Sequence, residues 1–156
     1  MKRALLLLII LPAIISCKLF DKKEQADPLA DKMKMMEADR AFSQLSEEKG
    51  MKNAFLEYID SNGVLLRPNQ MPLLGADAID FLIRQNDSSF TLKWEPRNGI
   101  VARSGELGYT YGVYSLHSND KDTTYYGNYV SIWKKQLDGS WKFVLDSGNE
   151  GIGEEE

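Results

Sequence analysis

The sequence predicts an α+β domain in which three N-terminal helices pack on a strongly curved antiparallel sheet. Apolar residues recur at helical spacing from residue 31 to residue 83, and from Phe90 onward the period changes to two. Gly108, Gly112 and Gly127 fall inside the predicted strands, where glycine is usually tolerated only at a bend, a bulge or a close approach. A sheet bent around helices encloses a hollow, which is a natural ligand site.

The first two helices are predicted at 31–49 and 51–59. Gly50 separates them and suits a left-handed C-terminal cap, and the turn residues 60–63 end the second helix. The apolar positions that define the two stripes are Met33, Met36, Phe42 and Leu45 in the first, and Met51, Ala54, Phe55, Tyr58 and Ile59 in the second.

A short strand at 64–67 is predicted to stop at Pro68, and an apolar loop at 71–75 leads into the third helix, with Ile79, Leu82 and Ile83 on one stripe. Four antiparallel runs follow, with turns at 104–105, 118–120 and 138–139. The runs are 90–95 extended by 100–103, 107–117, 124–135 and 140–147.

The N-terminus predicts a bacterial lipoprotein signal. Lys2 and Arg3 precede 12 uncharged residues, and Cys17, the only cysteine, follows Ser16 in a sequence that resembles a lipobox. A transmembrane anchor is the alternative, but a span needs about 20 apolar residues. We therefore expect a signal peptide at 1–16, lipid on Cys17, a flexible tether at 17–30, one domain at 31–150 and an acidic tail at 151–156.

This organisation places the protein in the bacterial cell envelope, outside the cytoplasm and attached to a membrane through the lipid on Cys17. The formal net charge is −4, and removal of Lys2 and Arg3 makes the remainder more acidic. Nucleic-acid binding is not expected, because it needs clustered basic side chains. The sequence predicts attachment to a membrane without specifying the inner or the outer membrane or the leaflet.

Several segments resemble the SnoaL-like, nuclear-transport-factor-2-like superfamily, and in particular its uncharacterised lipid-anchored bacterial members. The resemblance covers about residues 31–150 and implies a cystatin-like cone of helices and sheet. It rests on segments 38–42, 64–68, 72–75, 94–96, 105–112, 133–135 and 138–144. The fold hosts isomerases, dehydratases, cyclases and binding proteins, so it does not by itself name an activity.

Ketosteroid isomerase shares this fold and uses a carboxylate base opposite a tyrosine and a protonated carboxylic acid. By order of elements, the base would fall near Arg67 and the acid near Val130 or Ser131. None of these is a carboxyl, and a cation does not abstract a proton. Arg67 would instead suit an anionic group of a ligand.

Other catalytic candidates are few, and no catalytic residue is assigned. His117 is the only histidine, so no two-histidine metal site is possible, and neither metal nor cofactor is expected. His117 and Asp146 are the candidates for an acid or base. Asp146 and Glu150 could form a carboxylate pair that lines the mouth of a cavity, but a surface strand end followed by an acidic tail is the favoured interpretation. Asp39 and Arg40 are expected to be a solvent-facing pair with a structural role.

Aromatic residues on two predicted strands provide candidates for ligand contact. Tyr109 and Tyr111 share one face of their strand, and Tyr129 and Trp133 share one face of the next. With Arg67 and Trp94 they form the predicted ligand-binding set. Ordinary core packing is the alternative, and aromatics on both faces predict a homodimer through the sheet.

The sequence therefore favours a lipid-anchored, noncatalytic domain that binds a small apolar or mildly anionic molecule. One alternative is an isomerase, dehydratase or cyclase with a non-standard acid–base set, in which Asp146 or His117 works with Tyr109 or Tyr111. Another is a protein-interaction scaffold at the envelope whose hollow is vestigial.

Overall fold

The computed structural model describes residues 27–152. The predicted signal peptide, Cys17 and most of the predicted tether, together with residues 153–156, lie outside the described residues. None of the helices within 27–152 combines the length and the apolar character needed to cross a bilayer.

Three helices and six strands make up the described chain, which confirms the predicted α+β class. The helices are α1 (Pro28–Lys49), α2 (Met51–Tyr58) and α3 (Ala76–Arg84). The strands are β1 (Ile59–Leu66), β2 (Leu73–Leu74), β3 (Phe90–Val101), β4 (Leu107–Ser118), β5 (Thr123–Lys135) and β6 (Trp141–Glu150).

The strands form one sheet in the order β2-β1-β6-β5-β4-β3. Pairing is antiparallel throughout the β3 to β6 meander, but β1 runs parallel to β6. The prediction of a wholly antiparallel sheet was therefore wrong at this one junction. A parallel neighbour requires a long crossover, and here the whole chain between β1 and β6 supplies it.

Helix α1 begins earlier than predicted, so residues 28–30 belong to the helix and not to the tether. Asp27 explains the earlier start, because its side chain accepts hydrogen bonds from the backbone N–H groups of Leu29 and Ala30. Pro28 occupies the first helical turn, where its missing N–H costs nothing. Met33 is 66% exposed whereas Met35 is completely buried, so the buried stripe of α1 contains Met35 in place of the predicted Met33.

Three further boundaries differ from the prediction. The turn expected at 60–63 lies inside β1, where the register shifts between Ile59 and Val64 and Asp60 bonds the N–H of Asn62. Strand β3 runs without a break through Pro96, since a register shift between Pro96 and Asn98 accommodates the missing donor. The apolar loop expected at 71–75 contributes β2, which pairs with β1.

The helices pack on one face of the sheet around an aromatic core. Phe42 on α1 stacks on Phe143 of β6 with ring centroids 5.5 Å apart and meets Trp94 of β3 edge-on at 4.5 Å. Aromatic pairs in these geometries add stability beyond the area they bury. This packing fixes α1 across the sheet and so determines where a hollow can remain.

Helix α1 also covers the outer edge of β3. The Ser43 hydroxyl accepts a hydrogen bond from the Trp94 N–H at 2.8 Å and donates one to the Trp94 carbonyl at 2.6 Å. The Ser46 hydroxyl donates to the Leu92 carbonyl at 2.6 Å. Backbone groups that an edge strand would leave open are thus bonded to the helix.

Candidate ligand-binding cavity

An open cavity of about 220 Å³ lies between α2 and the helix-facing side of the sheet. Most of its wall is apolar or aromatic. The lining residues are Met51, Phe55, Arg67, Pro68, Phe90, Leu92, Trp94, Tyr114, Leu116, Tyr129, Asp146, Ser147, Gly148 and Glu150. This volume is below that of a drug-sized ligand site, so the cavity suits a small ligand.

The alternation of side chains between the two faces of the sheet determines which residues form the aromatic wall. Leu92 and Trp94 are two residues apart on β3 and lie opposite Leu116 and Tyr114 of β4. All four side chains therefore project from one face of the sheet toward the cavity. The same pattern continues onto β5, where Tyr129 adds its ring.

Tyr114 depends on a glycine in the neighbouring strand. Gly127 lies directly opposite Tyr114, and a Cβ atom at Gly127 would lie 2.4 Å from the Tyr114 hydroxyl oxygen. Glycine is the only residue that leaves this space empty, so the Tyr114 ring can lie across β5. The ring consequently forms part of the cavity wall near the end of β6.

Arg67 and Asp146 form an ion pair on the cavity wall. Arg67 follows β1 and Asp146 lies in the adjacent β6, with Nη2 of Arg67 2.9 Å from Oδ1 of Asp146. The Ser131 hydroxyl donates to Oδ2 of Asp146 at 2.8 Å. Arg67 also bonds two backbone carbonyls and lies 5.4 Å from the centre of the Phe55 ring. Groups of the protein itself therefore compensate both charges and fix their positions.

Asp39 is a wholly buried carboxyl behind the aromatic wall. Trp94 Nε1 donates to one of its oxygens at 2.7 Å, and the Tyr129 hydroxyl donates to the other at 2.8 Å. Burial raises the pKa of Asp39, and hydrogen bonds from Trp94, Thr110 and Tyr129 offset part of that effect. Burial and the nearby Asp39 carboxyl together hold the pKa of Tyr129 far above its usual range, so its hydroxyl remains a donor.

Four of the residues singled out from the sequence meet in this cavity: Arg67, Trp94, Tyr129 and Asp146. They come from four different strands or strand ends. Their meeting depends on the pairing of β1 with β6, which no local sequence pattern indicates.

Tyr109 and Tyr111 do not line the cavity, contrary to the prediction. They project from the opposite face of the sheet, and the Tyr111 side chain is 46% exposed. The intervening Thr110 is wholly buried, because β4 turns its even-numbered residues toward the helices. The acid–base set that paired Asp146 or His117 with these two tyrosines is therefore not assembled.

Trp133 and His117 are also placed away from the cavity. Trp133 is completely buried in the core, where its Nε1 donates to the Thr110 hydroxyl at 2.8 Å. The His117 side chain is 42% exposed near the β4–β5 turn, with Nδ1 3.1 Å from the Thr124 hydroxyl. Trp133 is thus a packing residue, and His117 does not reach the cavity.

Two contributions were missed in the sequence. Asp39 was expected to face solvent, yet it supports the cavity wall from behind. Phe90 and Leu92 alternate with the predicted Trp94, and this alternation could have identified the β3 side of the wall. Within residues 27–152, no three His, Cys, Asp or Glu side chains converge as a metal site would require.

Comparison with known proteins establishes the fold. No protein-family model and no curated protein matches this chain. Solved structures do match: an NTF2-like protein with a cystatin-like fold from Novosphingobium aromaticivorans has 14% identity and a TM-score of 0.62 over 77% of this chain and 81% of its own.

Two more similar structures are a ketosteroid isomerase-like protein from Erwinia carotovora atroseptica and an NTF2-like protein of unknown function from Pseudomonas putida. The first has 13% identity and a TM-score of 0.60, covering 76% of this chain and 95% of that one. The second has 10% identity and a TM-score of 0.65, covering 81% and 91%. This chain therefore has the NTF2-like, cystatin-like fold, which confirms the fold that the SnoaL-like resemblance implied.

Proposed function

We propose that this protein is a lipid-anchored envelope protein whose domain binds a small, mainly apolar molecule without catalysing a reaction on it. The observation that carries the proposal is the open cavity of about 220 Å³ with a largely aromatic wall. Concave apolar sites with a few fixed polar groups are the usual form of a small-molecule site. An open cavity also disfavours the alternative of a protein-interaction scaffold, because that alternative predicts a hollow filled by the side chains of the domain itself.

Binding fits the polar groups of the wall better than catalysis does. Arg67 and Ser131 each bond one oxygen of Asp146, and the Tyr129 hydroxyl donates a hydrogen bond to Asp39. These groups are bonded to one another, so they shape and support the wall more than they present free acids or bases. Asp146 already compensates the charge of Arg67, so the mildly anionic ligand that Arg67 suggested is not part of this proposal.

Binding in the cavity is tested with a substitution whose side chain fills the cavity. Gly148 lines the cavity, and a Cβ atom at Gly148 would lie 3.4 Å from Cε1 of Tyr114, which is ordinary contact. Gly148→Val should therefore fold while its methyl groups occupy the cavity. The control is Asn128→Val, an exposed position on β5.

The measurement is calorimetric titration of the chain from Lys18 to Glu156 with phenethyl alcohol, a small apolar probe with one polar group. We expect saturable binding by the unchanged domain and by Asn128→Val, and binding at least about tenfold weaker by Gly148→Val. Absence of saturable binding, or equal binding by Gly148→Val, would contradict the proposal.

Attachment to the membrane is proposed from the sequence, because Cys17 lies outside the described residues. Expression of the full chain in bacteria supplied with a labelled fatty acid should give a labelled protein in the membrane fraction. Cys17→Ser should lose the label, whereas Ser16→Ala keeps a small residue before the cysteine and should retain it. A labelled Cys17→Ser protein would contradict lipidation at this residue.

Acid–base catalysis is the second candidate, and the presence of Asp146 on the cavity wall is the observation that favours it. A base there would remove a proton next to a substrate carbonyl. Deuterium incorporation into a small ketone in heavy water, followed by NMR, would detect this step. Exchange faster than in buffer that is lost in Asp146→Asn would support catalysis, and exchange at the buffer rate in both would support binding alone.

We also propose a homodimer formed through the sheet face opposite the helices. Ile100 is paired with Tyr109, and Tyr111 with Val130, and all four side chains are exposed. Contiguous apolar side chains on a protein surface usually mark an interface. Its experimental test is given in the Discussion.

A further inference from the structure

The charged side chains that line the cavity do not balance. Arg67, Asp146 and Glu150 all lie on its wall. Arg67 and Asp146 neutralise each other at 2.9 Å, whereas Glu150 makes no ion pair with any residue from 27 to 152. The charge that remains at the cavity is therefore negative.

Glu150 lies beside the aromatic wall. It pairs in register with Gly127 of β5, and Gly127 in turn pairs with Tyr114 of β4. The Tyr114 ring lies across Gly127 toward β6, since the glycine leaves the space above it empty. Glu150, which is exposed, and Tyr114 therefore both line the same end of the cavity. Burial and the negative charge of Glu150 both raise the pKa of the Tyr114 hydroxyl, consistent with this proximity.

An unpaired carboxylate that shares one end of a cavity with an aromatic ring is complementary to a cation. A ligand ammonium group gains Coulomb attraction to the carboxylate, and it gains attraction to the ring quadrupole where it lies over the ring face. An anionic group would meet the Glu150 carboxylate unfavourably, and Asp146 already compensates the charge of Arg67. The ion pair thus removes the reason for expecting an anionic ligand from Arg67 alone.

We propose that the cavity selects small amphipathic amines, with the apolar body against the aromatic wall and the ammonium group between Glu150 and Tyr114. This inference rests on the proposed function, because it assigns the polar end of a ligand that occupies the same cavity. It names a chemical class, an arylalkyl or alkyl ammonium ion.

The test compares three probes that share one apolar body and differ in charge: phenethylamine, phenethyl alcohol and phenylacetate. Calorimetric titration of the chain from Lys18 to Glu156 at neutral pH and low salt should give an affinity order of amine, alcohol, carboxylate. We expect about a fivefold preference for the amine over the alcohol, the size typical of a partly exposed charge interaction. The preference should shrink as salt is added.

Glu150→Gln should abolish the preference for the amine over the alcohol. Glu106→Gln, which removes an exposed carboxylate away from the cavity, is the matched control and should keep the preference. An alcohol or carboxylate that binds as tightly as the amine, or a preference that survives Glu150→Gln, would overturn this inference alone. If none of the three probes binds, the proposed cavity function fails as well.

Discussion

The Tyr129 hydroxyl on β5 donates a 2.8 Å hydrogen bond to the carboxylate of Asp39 on α1, a buried contact between residues 90 positions apart in sequence. Trp94 on β3 donates to the other oxygen of the same carboxylate. One side chain thus joins the first helix to two strands. Because Tyr129 and Trp94 also line the cavity, the shape of the cavity depends on the same contacts that hold the helix in place.

Loss of the Asp39 carboxylate should destabilise the domain. Asp39→Ala leaves the Trp94 and Tyr129 donors buried without an acceptor, at a cost of about 3 kcal/mol in free energy of unfolding. Asp39→Asn should cost only about 1 kcal/mol, because its carbonyl can accept from Trp94 while its amide donates to the Tyr129 oxygen. Urea denaturation measures both, and equal losses would contradict this assignment of the bonds.

The same carboxyl predicts a pH dependence. The folded pKa of Asp39 is raised above its ordinary value of 3.8, so the folded state binds this proton more tightly than the unfolded state. Stability of the unchanged protein relative to Asp39→Asn should therefore fall as pH rises from 3.8 through the raised folded pKa. Urea denaturation of both proteins between about pH 4 and pH 8 measures the difference. If the stability of the unchanged protein relative to Asp39→Asn rises with pH, the raised pKa is contradicted.

Breaking the Arg67–Asp146 pair should be costly although the pair lies on a cavity wall. Asp146→Asn leaves the largely buried Arg67 guanidinium without its counter-charge, and we expect a loss of about 2–3 kcal/mol. Glu47→Gln removes an ion pair of similar length with Lys93 whose side chains are about half exposed, and should change stability little. Thermal or urea unfolding distinguishes the two, and similar losses would show that burial does not govern them.

Ser43→Ala should open the outer edge of β3. It removes the acceptor for the Trp94 N–H, so hydrogen exchange of that amide should accelerate at least about tenfold, with a loss of about 1–2 kcal/mol in stability. Ser46→Ala is the control, since Ser46 bonds only the Leu92 carbonyl and should leave the Trp94 amide protected. An unchanged Trp94 exchange rate in Ser43→Ala would show that the edge is protected by other means.

The proposed dimer predicts a change of mass with one substitution. Tyr111→Glu places a charge in the exposed face of the sheet and should convert the dimer to a folded monomer in analytical ultracentrifugation. Met33→Glu changes an exposed apolar residue on α1, away from this face, and should remain dimeric. A monomeric unchanged protein at all accessible concentrations would refute the dimer.

Most of the meander was predictable because it depends on local patterns. The period-two spacing gave the start of β3 at Phe90 and of β4 at Leu107, and the Asp138–Gly139 turn precedes β6 as expected. The parallel pairing of β1 with β6 was not predictable in the same way. It joins residues about 80 positions apart and leaves no periodic trace in either strand.

The main error in locating the site was the prediction of which face of β4 points toward the helices. Tyrosines suggested a cavity lining, but the opposite positions hold Gly108 and Thr110, which are small enough for α1 to approach. A Cβ atom at Gly108 would lie 2.6 Å from the Met35 sulfur, so this face must be the one beneath the helix. Small residues alternating with large aromatic ones therefore identify the helix-covered side more reliably than the aromatics themselves.

The serines of α1 that bond the edge of β3 have a consequence for the proposed attachment to a membrane. They bond the β3 backbone at Leu92 and Trp94, and β2, at the opposite edge of the sheet, is only two residues long. Copies of the domain crowded onto one lipid surface, as the proposal requires, would find fewer free amide and carbonyl groups at these positions on which strands of neighbouring molecules could pair.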